Sequence, residues 1–154
     1  NLIKSLLLIN KEGKLIELKR NLINFSYRSS GINKHCFIVA AKLKIRKGNE
    51  KDINKKIKKY LNLRKKTQPT KTLTGGSTFI NPEKKKAWKL IKESGCTDMS
   101  VGGAKISEKH CNFLVNTGSA TSKDLESLGN KIKNKVYKQT GIKLNWEIKR
   151  IGSK

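Results

Sequence analysis

Apolar residues enter this chain in short parcels, and their spacing changes from one parcel to the next. Leu6-Leu7-Leu8-Ile9 and the run FIVAAKLKIR at 37–46 read as strands. Ile53, Ile57, Tyr60 and Leu61 recur at helical spacing, as do Leu125, Leu128, Ile132 and Val136. Alternation returns at 142–151, IKLNWEIKRI, where Ile142, Leu144, Trp146 and Ile148 fall on one face. A chain that switches period this way predicts α+β architecture in two pieces: a mostly β part, then a compact unit of mixed helices and strands. It has no internal repeat, and its longest apolar run is far too short to cross a membrane.

Punctuation residues refine the map. Lys11-Glu12-Gly13 turns a hairpin over 3–18, and a short helix-like stretch follows at 19–24. Asp52 is expected to cap a helix over 53–63. The stretch RKKTQPTKTLTGG then reads as a loop, and a domain boundary near 66 divides the chain into 1–65 and 66–154. Asn81 is expected as N-cap, with Pro82 the first helical residue, Ala87, Leu90 and Ile91 inward, and Gly95 the stop. Residues 100–116 predict a glycine turn and two short strands. Ser122 is expected to cap a helix over 123–138 that Gly141 ends.

Charge narrows the functional classes less than its size suggests. Lys and Arg number 36 against 11 Asp and Glu, a net charge of +25, most of it lysine. Such a surface suits nucleic acid, and it also suits a lysine-rich composition spread over solvated faces. A basic RNA- or ribosome-associated protein is the alternative reading, but it calls for aromatic platforms among the lysines, and aromatics are only 6%. Cys36, Cys96 and Cys111 show no CxxC spacing, and their odd number argues for a reducing cytoplasm. Two of them follow His35 and His110, but adjacent residues on a strand point to opposite faces, so no metal site is expected. The chain opens without Met inside what reads as a strand, which reads as a fragment.

One segment asks for a chemical explanation. GGSTFINP, Gly75 to Pro82, interrupts the lysines with two glycines and a serine. Glycines let backbone N–H groups approach an anion, but the segment lacks the GK[ST] ending of a P-loop. Glu147 falls on the strand face shared with Lys143, Asn145 and Lys149, which by pattern is a solvated face. Arg28 beside Tyr27 reads as a surface stacking pair, and His110 reads as structural or as a general base.

Four motifs in order change those weights. FSYRSS resembles the F-x-Y-R-x-S motif of the UDP-N-acetylenolpyruvoylglucosamine reductase (MurB) family, and GGSTFINP resembles its GS-x-F-K-NP. GGAKISEKHCNFLVNTGSATSKDL resembles its GGA-x-VSEKHANFIVN segment, and LNWEIKRIG its closing LE-x-E-V-R-x-IG. The resemblance implies that 1–65 is the end of an FAD-binding region and 66–154 a whole substrate-binding domain. The family's glycine-rich flavin loop has no counterpart here, so the chain alone is expected to be inactive.

The implied reaction reduces an enolpyruvyl ether of a UDP-sugar with NADPH through FAD, in cytoplasmic peptidoglycan precursor synthesis. By motif position Arg28 would hold and polarise the substrate carboxylate, and Glu147 would aid it while holding or sharing a proton. Ser77 would donate a proton to C2. Tyr27, Arg64, Asn81 and Lys149 would bind substrate, with Arg64 standing ahead of a Gln68-Pro69 dipeptide as a binding arginine does in some members. Two positions depart from the pattern: Ile80 stands where the family has lysine, and Lys149 where arginine is common. A monomer with no nucleic-acid or membrane partner is expected. A non-catalytic relative would have lost Arg28, Ser77 or Glu147, and all three are present.

Overall fold

The computed structural model describes residues 2–152. The chain forms two compact units, 1–53 and 54–154. It mixes antiparallel sheets with helices, the α+β class expected from the changing period.

The first unit is a three-stranded antiparallel sheet. β1, Ile3–Ile9, lies between β2, Leu15–Lys19, and β3, Phe37–Leu43. The hairpin of β1 and β2 turns where Asn10 Oδ1 accepts the N–H groups of Glu12 (3.1 Å) and Lys14 (2.9 Å). Leu6, Leu8 and Ile23 make a small core. The helix-like stretch is a single 3-10 turn, Arg20–Leu22. β3 is apolar but uncovered: Phe37 is 71% exposed and Val39 57%.

α1, Glu50–Thr67, starts in the first unit and ends in the second. The expected cap is corrected by one turn. Asn49 Oδ1 accepts the Asp52 N–H at 3.3 Å, so Asp52 sits inside the first turn, where its charge suits the helix dipole. The helix also runs past 63, through Arg64–Thr67 at the start of the stretch that reads as a loop, whose end at Leu73–Gly76 is strand, and its last turn carries Arg64, Lys65 and Lys66. Those cations favour a C-terminal turn, and the loop begins only at Gln68-Pro69.

The second unit carries a four-stranded antiparallel sheet in the order β4-β7-β6-β5. Its strands are β4, Leu73–Ser77, β5, Ser100–Val101, β6, Ala104–Ile106, and β7, Phe113–Asn116. The 100–116 stretch thus holds three short strands rather than two. Two helices contribute to its core: α2, Ala87–Glu93, through Leu90 and Ile91, and α3, Ser122–Thr140, through Leu128, Ile132 and Val136.

Three boundaries differ from the sequence reading. Asn81-Pro82 does not start α2. Residues 83–85 turn first, and Lys86 is the N-cap, although Asn81 Oδ1 does accept the Ala87 N–H at 2.9 Å. α3 is capped by Thr121, not Ser122: Thr121 Oγ1 accepts from the Asp124 N–H and Asp124 Oδ2 from the Thr121 N–H, a reciprocal capping box. That backbone bond holds the Asp124 carboxyl below its ordinary pKa. The last alternating segment is no strand but a bridge, Phe79 with Trp146. Its partner is available only at 78–80, between the glycine pair and Pro82, which has no N–H to give. The alternation itself is real, since Leu144 is buried and Lys143, Asn145 and Lys149 are exposed.

Trp146 settles over Gly129 of α3. A Cβ built on Gly129 collides with the indole ring. Alanine would add about 1 kcal/mol of helix propensity, but overpacking a filled core costs about 1–3 kcal/mol. Gly129→Ala should therefore lower the unfolding free energy measured in urea. An unchanged or higher value would mean that the indole retreats freely.

Candidate active site

Ser77 is the last residue of β4 and is half-buried. The two residues after it are buried and tied on every side. Thr78 N–H donates to Asn112 O (2.7 Å), and Thr78 Oγ1 accepts the Leu114 N–H (3.2 Å). Asn112 closes a two-point clamp on Phe79: its Oδ1 accepts the Phe79 N–H at 3.0 Å and its Nδ2 donates to the Phe79 carbonyl at 2.8 Å. Leaving a buried backbone group unpaired costs about 1–3 kcal/mol, so this one side chain holds down the segment that carries Ser77. Asn112 was not singled out in the sequence. The signal was there: an amide inside the apolar run HCNFLVN.

On the other side of the same segment lies the chain end. Ile80 N–H donates to Asn145 O and Glu147 N–H to Thr78 O, both at 2.9 Å. Phe79 and Trp146 meet ring to ring with centroids 5.2 Å apart. Ser77 and Glu147, seventy positions apart in sequence, thus sit on adjoining backbone segments, and Glu147 is half-buried. Before Ser77, Gly76 adopts φ +89°, and nothing lies within 4 Å of where its side chain would stand. The glycine pair also breaks the β4–β7 register between Thr74 and Ser77. A non-glycine residue would be strained there, and the space beside Ser77 would be narrowed.

The other predicted site residues divide between the units. Tyr27 and Arg28 form the tip of a tight turn in the first unit, closed by Ser26 and Ser29 through reciprocal backbone bonds of 2.9 and 3.2 Å. Arg28 has φ +61°, the one left-handed non-glycine residue among those described. Its guanidinium lies over the Tyr27 ring at 5.4 Å. Such a backbone costs about 1–2 kcal/mol, and no sequence pattern announces it. Arg64 lies on the last turn of α1, where its Nε donates to Gln68 Oε1 at 3.1 Å. Asn81 is engaged at the start of α2, as described above. Lys149 is exposed and borders a cavity of about 360 Å³ walled by Leu125, Trp146 and Ile148.

His110 belongs to the scaffold of the clamp. Its Nδ1 accepts the Asn112 N–H at 3.3 Å, and its ring packs edge-on to Phe113 at 4.9 Å. Burial holds its imidazole below the ordinary value of 6.5. The unfolded chain therefore takes up the proton first, so stability is full above about pH 6.5 and is lost as pH falls through the lower folded value. Urea unfolding at about pH 7.5 and about pH 5.5 should show that loss. His110→Gln should show less of it, and an identical pH dependence in the variant would contradict the assignment.

Comparison with known proteins agrees with this architecture. The family model for the C-terminal domain of UDP-N-acetylenolpyruvoylglucosamine reductase matches residues 68–151. The reductase of that name from Rickettsia prowazekii is 48% identical over 140 residues, covering 91% of this chain and 48% of that protein. The one from Paramagnetospirillum magneticum is 45% identical over 144 residues, covering 94% and 47%. The crystal structure of the Thermus caldophilus enzyme superposes with a TM-score of 0.80 at 27% identity, over 95% of this chain and 52% of that one. The chain spans about half the length of the curated relatives it matches. Family match, relatives and fold agree: this chain belongs to the UDP-N-acetylenolpyruvoylglucosamine reductase family.

Proposed function

We propose that this chain carries the substrate-side chemistry of a reductase that converts UDP-N-acetylglucosamine enolpyruvate to UDP-N-acetylmuramate with NADPH and FAD, in cytoplasmic peptidoglycan precursor synthesis. The observation that carries the reading is the clamped segment bearing Ser77, held against the segment bearing Glu147, in a chain that belongs to this family. Residues 1–65 are read as the end of a flavin-binding region and 66–154 as the substrate domain. The uncovered apolar strand β3 supports the first part of that, since exposed apolar surface of this kind marks a face made to be covered.

A flat ring would meet this chain at Gly76. The open space at Gly76 leaves the backbone beside Ser77 approachable, so Gly76 and Ser77 would border the ring of FAD. When bound and reduced by NADPH, FAD supplies the hydride for the C3 methylene of the enolpyruvyl ether. The electron pair of the double bond then moves to C2 and into the carboxylate. Arg28 would meet that charge with a planar fork of donors, on a turn whose left-handed backbone holds its tip in one shape. Glu147, while it holds or shares a proton, would donate to the same carboxylate. Ser77 Oγ–H would give its proton to C2, forming the C2–H bond; the methyl at C3 comes from the hydride, and Ser77 would take its proton back from water. A serine hydroxyl is a weak acid, so its position must do what its acidity does not, and the Asn112 clamp next to it suits that demand. Tyr27, Arg64, Asn81 and Lys149 would hold the rest of the substrate. The acting unit is read as a monomer without nucleic-acid or membrane partner. Among the described residues, no helix is long and apolar enough to cross a membrane.

The test separates two half-reactions. Join this chain to the N-terminal half of the Rickettsia prowazekii reductase, and follow flavin bleaching by NADPH and reoxidation by substrate in stopped flow. Ser77→Ala should leave bleaching nearly intact and slow reoxidation at least ~10²-fold, the lower end of what a placed acid contributes. Ser77→Cys, which can still give a proton, should retain more activity than alanine. Equal slowing of both phases would make Ser77 structural.

A further inference from the structure

The cavity bordered by Lys149 is walled largely by apolar side chains. It encloses about 360 Å³ between β4, the first turns of α3 and the closing segment 148–151. Leu73, Leu114, Leu125, Trp146 and Ile148 supply most of its wall. Two polar side chains in that wall are spent on the fold. Thr74 Oγ1 donates to the Leu114 carbonyl at 2.7 Å and accepts the Gly76 N–H at 3.3 Å. Asn116 Oδ1 accepts the N–H groups of Gly118 and Ala120, and its Nδ2 donates to the Ala120 carbonyl. An apolar cavity of ~150 Å³ takes one benzene ring, so this one has room for two fused rings. Ile151, at its mouth, is 98% exposed, an apolar side chain that an occupant would cover.

Charge is confined to the rim. Lys149 and Arg150 stand there against one acid, Glu126. Arg150 Nη1 donates to Glu126 Oε2 at 3.0 Å, and the guanidinium lies over the Trp146 ring at 5.5 Å. A guanidinium carries five N–H donors in a planar fork, so one ion pair leaves donors for a second anion at the same rim. A sugar would find few hydrogen-bond partners in this wall, and a cation would meet like charge. The ligand that fits both wall and rim has a flat apolar body and one carboxylate.

This cavity lies behind the segments that carry the proposed chemistry. Trp146 and Ile148 line it and Glu147 does not, as alternation along an extended segment requires. Ile148 also packs on Gly75 of β4, where a built Cβ would meet its Cδ1 at 3.2 Å. An occupant would therefore rest against the reverse of the segment bearing Ser77 and of the segment bearing Glu147.

We propose that this cavity is a binding site for a small aromatic carboxylate, its ring against Trp146 and its carboxylate on Arg150. The site rests on the cavity alone and uses no part of the reductase reading.

Titrate the isotopically labelled chain with 1-naphthoate, 1-naphthylmethanol and 1-naphthylmethylamine at about 0.15 M salt, where long-range attraction is screened. Follow the indole N–H resonances of the two tryptophans. The acid should saturate one site with a dissociation constant of about 1 mM or less, the scale that ligand efficiency sets for its size. It should shift Trp146 and leave Trp88, which is no part of the cavity. The alcohol should bind about threefold more weakly, as a rim contact in water implies, and the amine more weakly still. Arg150→Gln should remove the acid's advantage over the alcohol. Glu126→Gln, which releases the guanidinium, should enlarge it. Leu125→Phe, which fills the cavity, should abolish binding of all three; should that variant not fold, the two rim variants decide. Lys131→Gln with Lys138→Gln, on exposed positions of α3, should change nothing. No saturable shift at Trp146, or equal binding of the three probes, would overturn the proposal. It also falls if the α3 pair weakens the acid as much as Arg150→Gln, since the +25 charge would then act without a site. No turnover is read, so this outcome is separate from the fate of the reductase reading.

Discussion

Asn112 holds the second unit together at the point where chemistry is proposed. Its amide reaches both backbone groups of Phe79, and its own carbonyl takes the Thr78 N–H. The segment behind Ser77 therefore has β7 on one side and the 145–147 segment on the other. Phe79 and Thr78 are buried by this arrangement, while Ser77 stops just short of burial. A short bonded strand with a half-open end is a way of aiming one hydroxyl. Glycines before it loosen the backbone where room is needed, and the clamp after it restores rigidity.

The two units bury their apolar residues to different degrees. The second has a continuous core from Phe79 through α2 and α3 to Leu144. The first has, among the described residues, three buried apolar ones and a strand, β3, that is exposed along its length. α1 shows the same pattern: Ile53, Ile57, Tyr60 and Leu61 are all exposed despite their helical spacing. The chain spans about half of the length of the curated relatives it matches. Lysine, by contrast, is spread over both units, so most of the net charge needs no ligand to explain it.

Much of this was legible in the sequence because period and punctuation agreed. The hairpin, the inward faces of α2 and α3, and the stops at Gly95 and Gly141 follow from spacing and from residues that tolerate left-handed backbone. Boundaries failed where two side chains competed for one job. Asn49 displaced Asp52 and Thr121 displaced Ser122, because a cap is decided by which oxygen reaches the N–H two or three residues on. The last segment looked like a strand because alternation reports burial, not pairing. Its partner is bonded over only three residues. Motifs singled out Ser77, Glu147 and Arg28 as candidates, but nothing in the sequence announced the clamp, since Asn112 and Phe79 are far apart in sequence and only the fold joins them. Nor was the φ of Arg28, which depends on the turn closed by Ser26 and Ser29.

The central claim is that Ser77 stands on a backbone as firmly held as the core. Native-state hydrogen exchange at the Thr78 and Phe79 amides tests it directly. The account predicts that both exchange only in the opening that also releases Leu128 and Ile132 in α3. Exchange through a local opening, near the rate of the exposed Gly118 loop, would contradict it: the segment would then be loose, and Ser77 would have no fixed place from which to give a proton.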